Sequence, residues 1–262
     1  MHPDDQRRPV VGERLNRSLT TGCLIALLLL VIVLVSGLAG LWYANWHADN
    51  VNSQRRAQAV SSILQQARDT ADDTARSLDA SHSADIDKLI GVIWKHSGSP
   101  LIRYDSSHQA LTARLPKQVM YETAGVLPGA GSDAVRRCVL FTFSYLDDHV
   151  WTPKVTLQAG DACRSVTDIG YLSRLADKRI GKMDAGQLSR VQIQKALDPT
   201  GRLHTFAVKR VTRGDGKVTA AILISSHDGT AEQCYRITRS ITPADENGLP
   251  STAAPTSSSC ST

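Results

Sequence analysis

Charge is missing from one long stretch of this 262-residue chain: between Ser18 and Trp46 there is no Asp, Glu, Lys, Arg or His. Glycine and proline are missing from another, residues 47–80. Aromatics are few, with three Phe, four Trp and six Tyr. Runs of five or six like charges are also absent, although the formal net charge is +5. Each absence excludes something. A nucleic-acid surface needs clustered basic side chains, and no cluster stands in the linear sequence, so nucleic acid is not an expected partner. A helix without a charged residue over so many positions is rarely the core helix of a soluble domain.

Catalytic motifs are absent too. The chain holds no Gly-x-Ser-x-Gly elbow, no phosphate loop ending in Gly-Lys-Ser/Thr and no His-Glu-x-x-His pair. No two cysteines stand two to four residues apart, as a zinc knuckle requires. The eight histidines are scattered. Asp147-Asp148-His149 is a compact polar cluster, but it falls where a turn is expected, and Asp215 sits in an Arg213-Gly-Asp-Gly216 turn. No catalytic residue, metal ligand or cofactor site is assigned. The chain reads more readily as a binding protein than as an enzyme.

The uncharged stretch decides the compartment. Cys23 to Val35 is continuously apolar, and the run continues to Trp42. About 20 apolar residues cross a hydrocarbon core of roughly 30 Å as a helix, which satisfies its own backbone hydrogen bonds. Residues 22–44 are therefore expected to span a lipid bilayer. Arg14 and Arg17 precede the span, and Trp42, Tyr43 and Trp46 close it. Basic residues stay cytoplasmic and amphipathic aromatics settle at headgroup level, which places residues 1–21 inside as a basic tail and the remainder outside. A cleavable signal peptide is the alternative, with Gly37 and Ala39 spaced like a cleavage site. Lipid modification of Cys23 is excluded, because the apolar run follows that cysteine whereas an export signal precedes it.

Residues 45–82 read as a membrane-proximal helical stalk. Ala57, Val60, Leu64, Ala67, Ala71, Thr74 and Leu78 advance in steps of three and four, a heptad seam that either forms a homo-oligomeric coiled coil or lies on its own domain. Residues 83–241 are expected to form an extracytoplasmic domain. Ser83 is the expected N-cap of a helix to about His96, with Ile86, Leu89, Ile90 and Ile93 on one face. Leu101–Tyr104 and Ala110–Leu115 read as a hairpin, and Cys138–Tyr145 as a strand returned by Val155–Leu157. Residues 117–133 are ambiguous, with a loop at Pro128–Gly131. Residues 167–196 read as helical or irregular, with a break near Gly181. Phe206–Thr212 and Val218–Ile224 form a hairpin around Asp215-Gly216, and Tyr235–Thr238 an edge strand. The fold class is α+β: one transmembrane helix, a stalk, then a mixed domain with a mainly antiparallel sheet and packed helices. Residues 242–262, rich in Ser, Thr and Pro, are expected to be disordered.

Four of the five cysteines fall outside the span, where disulfides persist. Cys138 and Cys163 flank the expected turn of one hairpin, which brings them together at its open end. Cys234 is left with Cys260, with an intermolecular partner, or free.

The layout of tail, anchor, stalk and compact α+β domain resembles that of nuclear-transport-factor-like subunits of bacterial type IV secretion systems. The likeness lies in layout and implies a non-catalytic envelope module that binds a protein partner. A second reading is a ligand-sensing domain: Asp198-Pro-Thr-Gly201 before a strand hairpin resembles PAS-like or Cache-like folds. Its short tail would require signalling through a separate membrane protein. A third is an anchored or secreted hydrolase whose catalytic groups meet only in space.

Overall fold

The structure is a computed structural model and describes residues 12–125, 131–145, 150–202, 204–240, 252–257 and 260. Residues 1–11, the loop through Pro128, the Asp147-Asp148-His149 cluster and most of 242–262 lie outside the described residues. The order is α1 (Gly12–Ser81), α2 (Ile86–Ser97), β1 (Leu101–Asp105), β2 (Ala110–Thr123), β3 (Gly131–Tyr145), β4 (Trp151–Ala159), α3 (Arg164–Gly181), α4 (Arg190–Leu197), β5 (Phe206–Gly214), β6 (Lys217–Ser225), β7 (Glu232–Ser240) and β8 (Thr252–Thr256). Two compact units emerge, residues 1–56 with 122–133 and residues 57–121 with 134–262.

In the first unit α1 is long and apolar enough to cross a membrane, and its most apolar window is wholly exposed. There is no break at the expected boundary between span and stalk, because Ala, Gln, Arg and Asp continue the helix without a glycine or proline. Asn52 clasps the chain just past the end of β2. Its side-chain amide donates to the carbonyl of Ala124 at 3.0 Å and accepts from the Ala124 N–H at 2.7 Å. Arg55 donates to the carbonyl of Glu122. A Cβ at Gly131 would stand 2.9 Å from Thr123 Oγ1, so a larger residue there would make that side chain shift.

The second unit holds two four-stranded antiparallel sheets, ordered β1-β2-β3-β4 and β5-β6-β7-β8, where a single sheet was expected. Hairpin signals in a sequence report pairing inside each hairpin and say nothing of pairing between hairpins. Here α3 and α4 intervene in the chain, and each half closes its own sheet. On the first sheet Val139, Phe141 and Phe143 of β3 alternate inward with Ile102, Leu111 and Ala113. The cover is α2, through Leu89, Ile90 and Ile93, and α1, through Ala59, Ile63, Ala67, Ala71, Ala75 and Leu78. Of the heptad seam, Ala67, Ala71, Thr74 and Leu78 are buried, Val60 and Leu64 half-buried and Ala57 exposed. The stripe thus packs on the domain's own sheet.

Helix α2 starts later than expected. Ser83 Oγ accepts from Asp85 N–H in the preceding turn, and Asp85 is the N-cap, accepting from Asp87 N–H at 2.9 Å. Gly98, at φ +66°, ends it. On the second sheet α3 lays Val166, Ile169, Leu172, Ala176 and Ile180, and α4 adds Ile193 and Leu197. Arginines close both helix ends: Arg179 donates to the Leu197 carbonyl at 2.6 Å and Arg239 to the Ile180 carbonyl at 3.0 Å. Asp215 and Gly216, at φ +51° and +66°, form the two-residue β5–β6 turn.

Strand β7 is interior, paired with β6 and β8, and not the edge strand expected. The partner β8 comes from the segment expected to be disordered. That expectation rested on poor apolar burial. Backbone pairing of Thr252–Thr256 with β7 supplies order instead, and Asp87 adds to it by accepting from the backbone and hydroxyl of Ser257.

Two buried side chains of β7 tie the second sheet to the start of the first. Gln233 accepts from Ile102 N–H and donates to the Thr256 carbonyl. Tyr235 donates its hydroxyl proton to the Pro100 carbonyl at 2.6 Å, and burial pushes its pKa well above the ordinary 10.0. Because the raised value belongs to the folded state, this stability is fully present below pH 10 and is lost as pH rises toward the folded value. Tyr235→Phe should cost about 1–2 kcal/mol near neutrality, since it strands a buried carbonyl. In urea unfolding across pH, the gap between variant and wild type should narrow above pH 10; a gap that widens there would contradict the assignment.

Candidate ligand-binding cleft

The last turn of α1, the turn that follows it and the first turns of α2 meet the ends of β1, β3 and β4 around a cleft of about 430 Å³. Its apolar wall is Leu78, Ile86, Leu89, Tyr104, Tyr145 and Trp151, and Asp79, His82 and Gln109 supply polar groups. Tyr145 and Trp151 are cross-strand partners, with ring centroids 5.1 Å apart. Asp79 fixes the corner by accepting from Trp151 N–H at 2.9 Å, and the Gln109 carbonyl accepts from Tyr145 N–H at 3.1 Å. His82 and Gln109 sit at φ +44° and +45°, the left-handed conformation of tight turns. An apolar wall with a few polar groups suits a flat apolar or aromatic group. No side-chain hydrogen bond joins Asp79, His82 and Ser83, so the described lining contains no assembled nucleophile and base.

One Ser/His/Asp constellation does assemble, in the β1–β2 turn. Ser107 Oγ lies 2.6 Å from Asp105 Oδ1 and 2.9 Å from His108 Nδ1, which is 2.7 Å from Asp105 Oδ2. Both contacts use the same imidazole nitrogen, so the ring cannot pass a proton from serine to a carboxylate-held far side as a triad does. The cluster is exposed, and the hydrogen bonds from Ser107, then His108, hold the Asp105 carboxyl at about 2. It is a capped turn. Its signal in the sequence was Asp-x-Ser at turn spacing.

The residues singled out from the sequence fall in three places. Arg14 and Arg17 lie in the first turns of α1. Trp42, Tyr43 and Trp46 are 73%, 62% and 56% exposed on the same helix. Cys138 and Cys163 are joined by a disulfide, and so are Cys234 and Cys260. The first bond is reached differently from the expected hairpin register. Strand β3 pairs Cys138 with Gln158, and a 3-10 turn at Gly160–Cys163 brings Cys163 back. The cleft gathers none of these residues. Asp198-Pro-Thr-Gly201 forms a turn after α4, with Thr200 Oγ1 donating to Asp198 Oδ1, and is not part of the cleft. Among the described residues no group of three His, Cys, Asp or Glu side chains stands close enough to hold a metal ion.

No family model matches the chain, and no curated protein matches it. Among solved structures, an Ntf2-like protein involved in plasmid conjugation aligns at 13% identity over 59% of this chain and 74% of that one, with a TM-score of 0.15. A score of that size establishes no common fold.

The Cys138–Cys163 bond closes a loop over a separation of 25 residues, with both cysteines fully buried. The C138S/C163S double variant should lose about 3 kcal/mol in denaturant unfolding. Wild type treated with reductant should move the same way, and a variant as stable as the oxidised protein would contradict the bond.

Proposed function

We propose that this chain is a membrane-tethered, non-catalytic binding module whose domain lies outside the cytoplasm and joins a cell-envelope assembly, with the layout of a nuclear-transport-factor-like secretion subunit. The observation that carries the reading is a contrast within one molecule. Large apolar side chains from Leu24 to Leu41 are about half or more exposed, while the domain beyond them closes two cores of its own and two disulfides. An apolar surface of that extent is stable in lipid and not in water, and disulfides persist in oxidising compartments. Arg14 and Arg17 before the span and the aromatics Trp42, Tyr43 and Trp46 after it favour a cytoplasmic N-terminus.

The aromatic cleft favours a second reading, in which the domain senses a small apolar or aromatic ligand and signals through a separate membrane protein. Saturable thermal stabilisation by such a ligand, lost in Trp151→Ala, is the mark that separates it from the first.

Topology is tested with Val191→Cys, at a position 77% exposed on α4. An impermeant maleimide should label this cysteine in intact spheroplasts, and the protein should stay with the membrane pellet in alkaline carbonate. Labelling that requires lysis, or recovery in the soluble fraction, would contradict the reading.

A further inference from the structure

Strand β1 pairs with β2 only as far as Arg114, and from Leu115 to Met120 the outer edge of β2 has no strand neighbour among the described residues. Side chains there alternate, with Pro116, Gln118 and Met120 exposed. A free edge of this kind offers backbone donors and acceptors to another chain. Two grooves, of about 700 and 810 Å³, run between this part of β2 and helix α3 and meet at Pro116 and Thr167. The first has apolar walls that include Trp94, Leu115 and Val166. The second is basic, lined by Lys117, Arg136, Arg137 and Arg164.

The second groove keeps an excess of positive charge, because four cations stand against the two carboxylates Asp161 and Asp168. Arg136 donates to the Gln118 side chain and Arg137 to the Arg136 carbonyl. None of the four cations has an ion-pair partner among the described residues. The two acids in the same wall are engaged: Asp161 accepts from Ala162 N–H, and Asp168 lies 3.3 Å from His227. The four cations come from three separate segments, so the cluster exists only in the fold.

From these features we infer that the groove along α3 docks an extended acidic polypeptide segment of a partner protein, laid against the free edge of β2. Strand addition gives such a segment its backbone bonds, while alternate side chains meet the cations. The six residues Leu115–Met120 offer roughly 20 Å of edge at 3.3 Å per residue. The inference deepens the binding-module reading and rests on it, by stating the chemistry of the partner.

The test uses the full chain in detergent and a fluorescein-labelled peptide of about ten residues alternating Glu and Val, read by anisotropy at about 50 and about 300 mM salt. Binding should weaken about tenfold or more at the higher salt, as charge recognition requires. It should fall about tenfold or more in R136E/R164E, and clearly on N-methylation of alternate peptide residues, because strand addition uses backbone N–H groups. K117E, on β2 itself, should act in the same direction and stands in if the double variant fails to fold. Absence of binding, indifference to the charge reversals, or equal binding by the N-methylated peptide would overturn the inference. So would a single-stranded oligonucleotide of equal charge binding as tightly as the peptide. A membrane-held protein labelled from outside that ignores the peptide sinks this inference alone. Peptide binding by a protein found in the soluble fraction sinks the topology and leaves the groove standing.

Discussion

The stripe of small residues along the second half of α1 is the contact on which the folded domain depends. Ala59, Ile63, Ala67, Ala71, Ala75 and Leu78 form one wall of the core over the first sheet, and four of the six are alanine. Alanine buries little apolar area, and each Å² buried is worth only about 25 cal/mol. The stripe belongs to the same core as Phe141, Phe143 and Leu111, which are sealed to 1% exposure or less. The apolar half of the same helix meets the opposite requirement, with large side chains pointing outward. One helix therefore carries two patterns, a continuous apolar surface before Trp46 and a narrow small-residue stripe after it.

Polar side chains finish what apolar packing leaves open. Gln194 donates to the Phe206 carbonyl and accepts from Val208 N–H, so a helix side chain stands where another strand would pair with β5. Gln233 and Tyr235 do the same work where the second sheet meets the start of the first. Arg179 and Arg239 close the ends of α4 and α3. From Leu115 to Met120 the outer edge of β2 has no strand neighbour among the described residues.

Much of this was legible in the sequence, for identifiable reasons. The β5–β6 hairpin was written in Asp215-Gly216, because two consecutive positive φ angles leave few choices of residue. The face of α2 was written in Ile86, Leu89, Ile90 and Ile93. Long-range partners were not legible. That β7 is interior depended on a strand from a Ser/Thr/Pro-rich segment, ordered by backbone pairing that composition does not report. The division into two sheets depended on which hairpin meets which. The aromatic cleft draws on five elements, α1, α2, β1, β3 and β4, and the basic groove on three segments, so neither has a local signature.

The most direct measurement of the account compares two neighbouring substitutions on α1. Ala71 is buried against the first sheet and Asp72 is exposed beside it. Near-UV circular dichroism and limited proteolysis of the full chain in detergent should show the domain unfolded by Ala71→Asp and unaffected by Asp72→Ala, because a buried carboxylate without a partner is not tolerated. An Ala71→Asp protein that keeps its tertiary signal and protease resistance would contradict the claim that this stripe is the core of the domain.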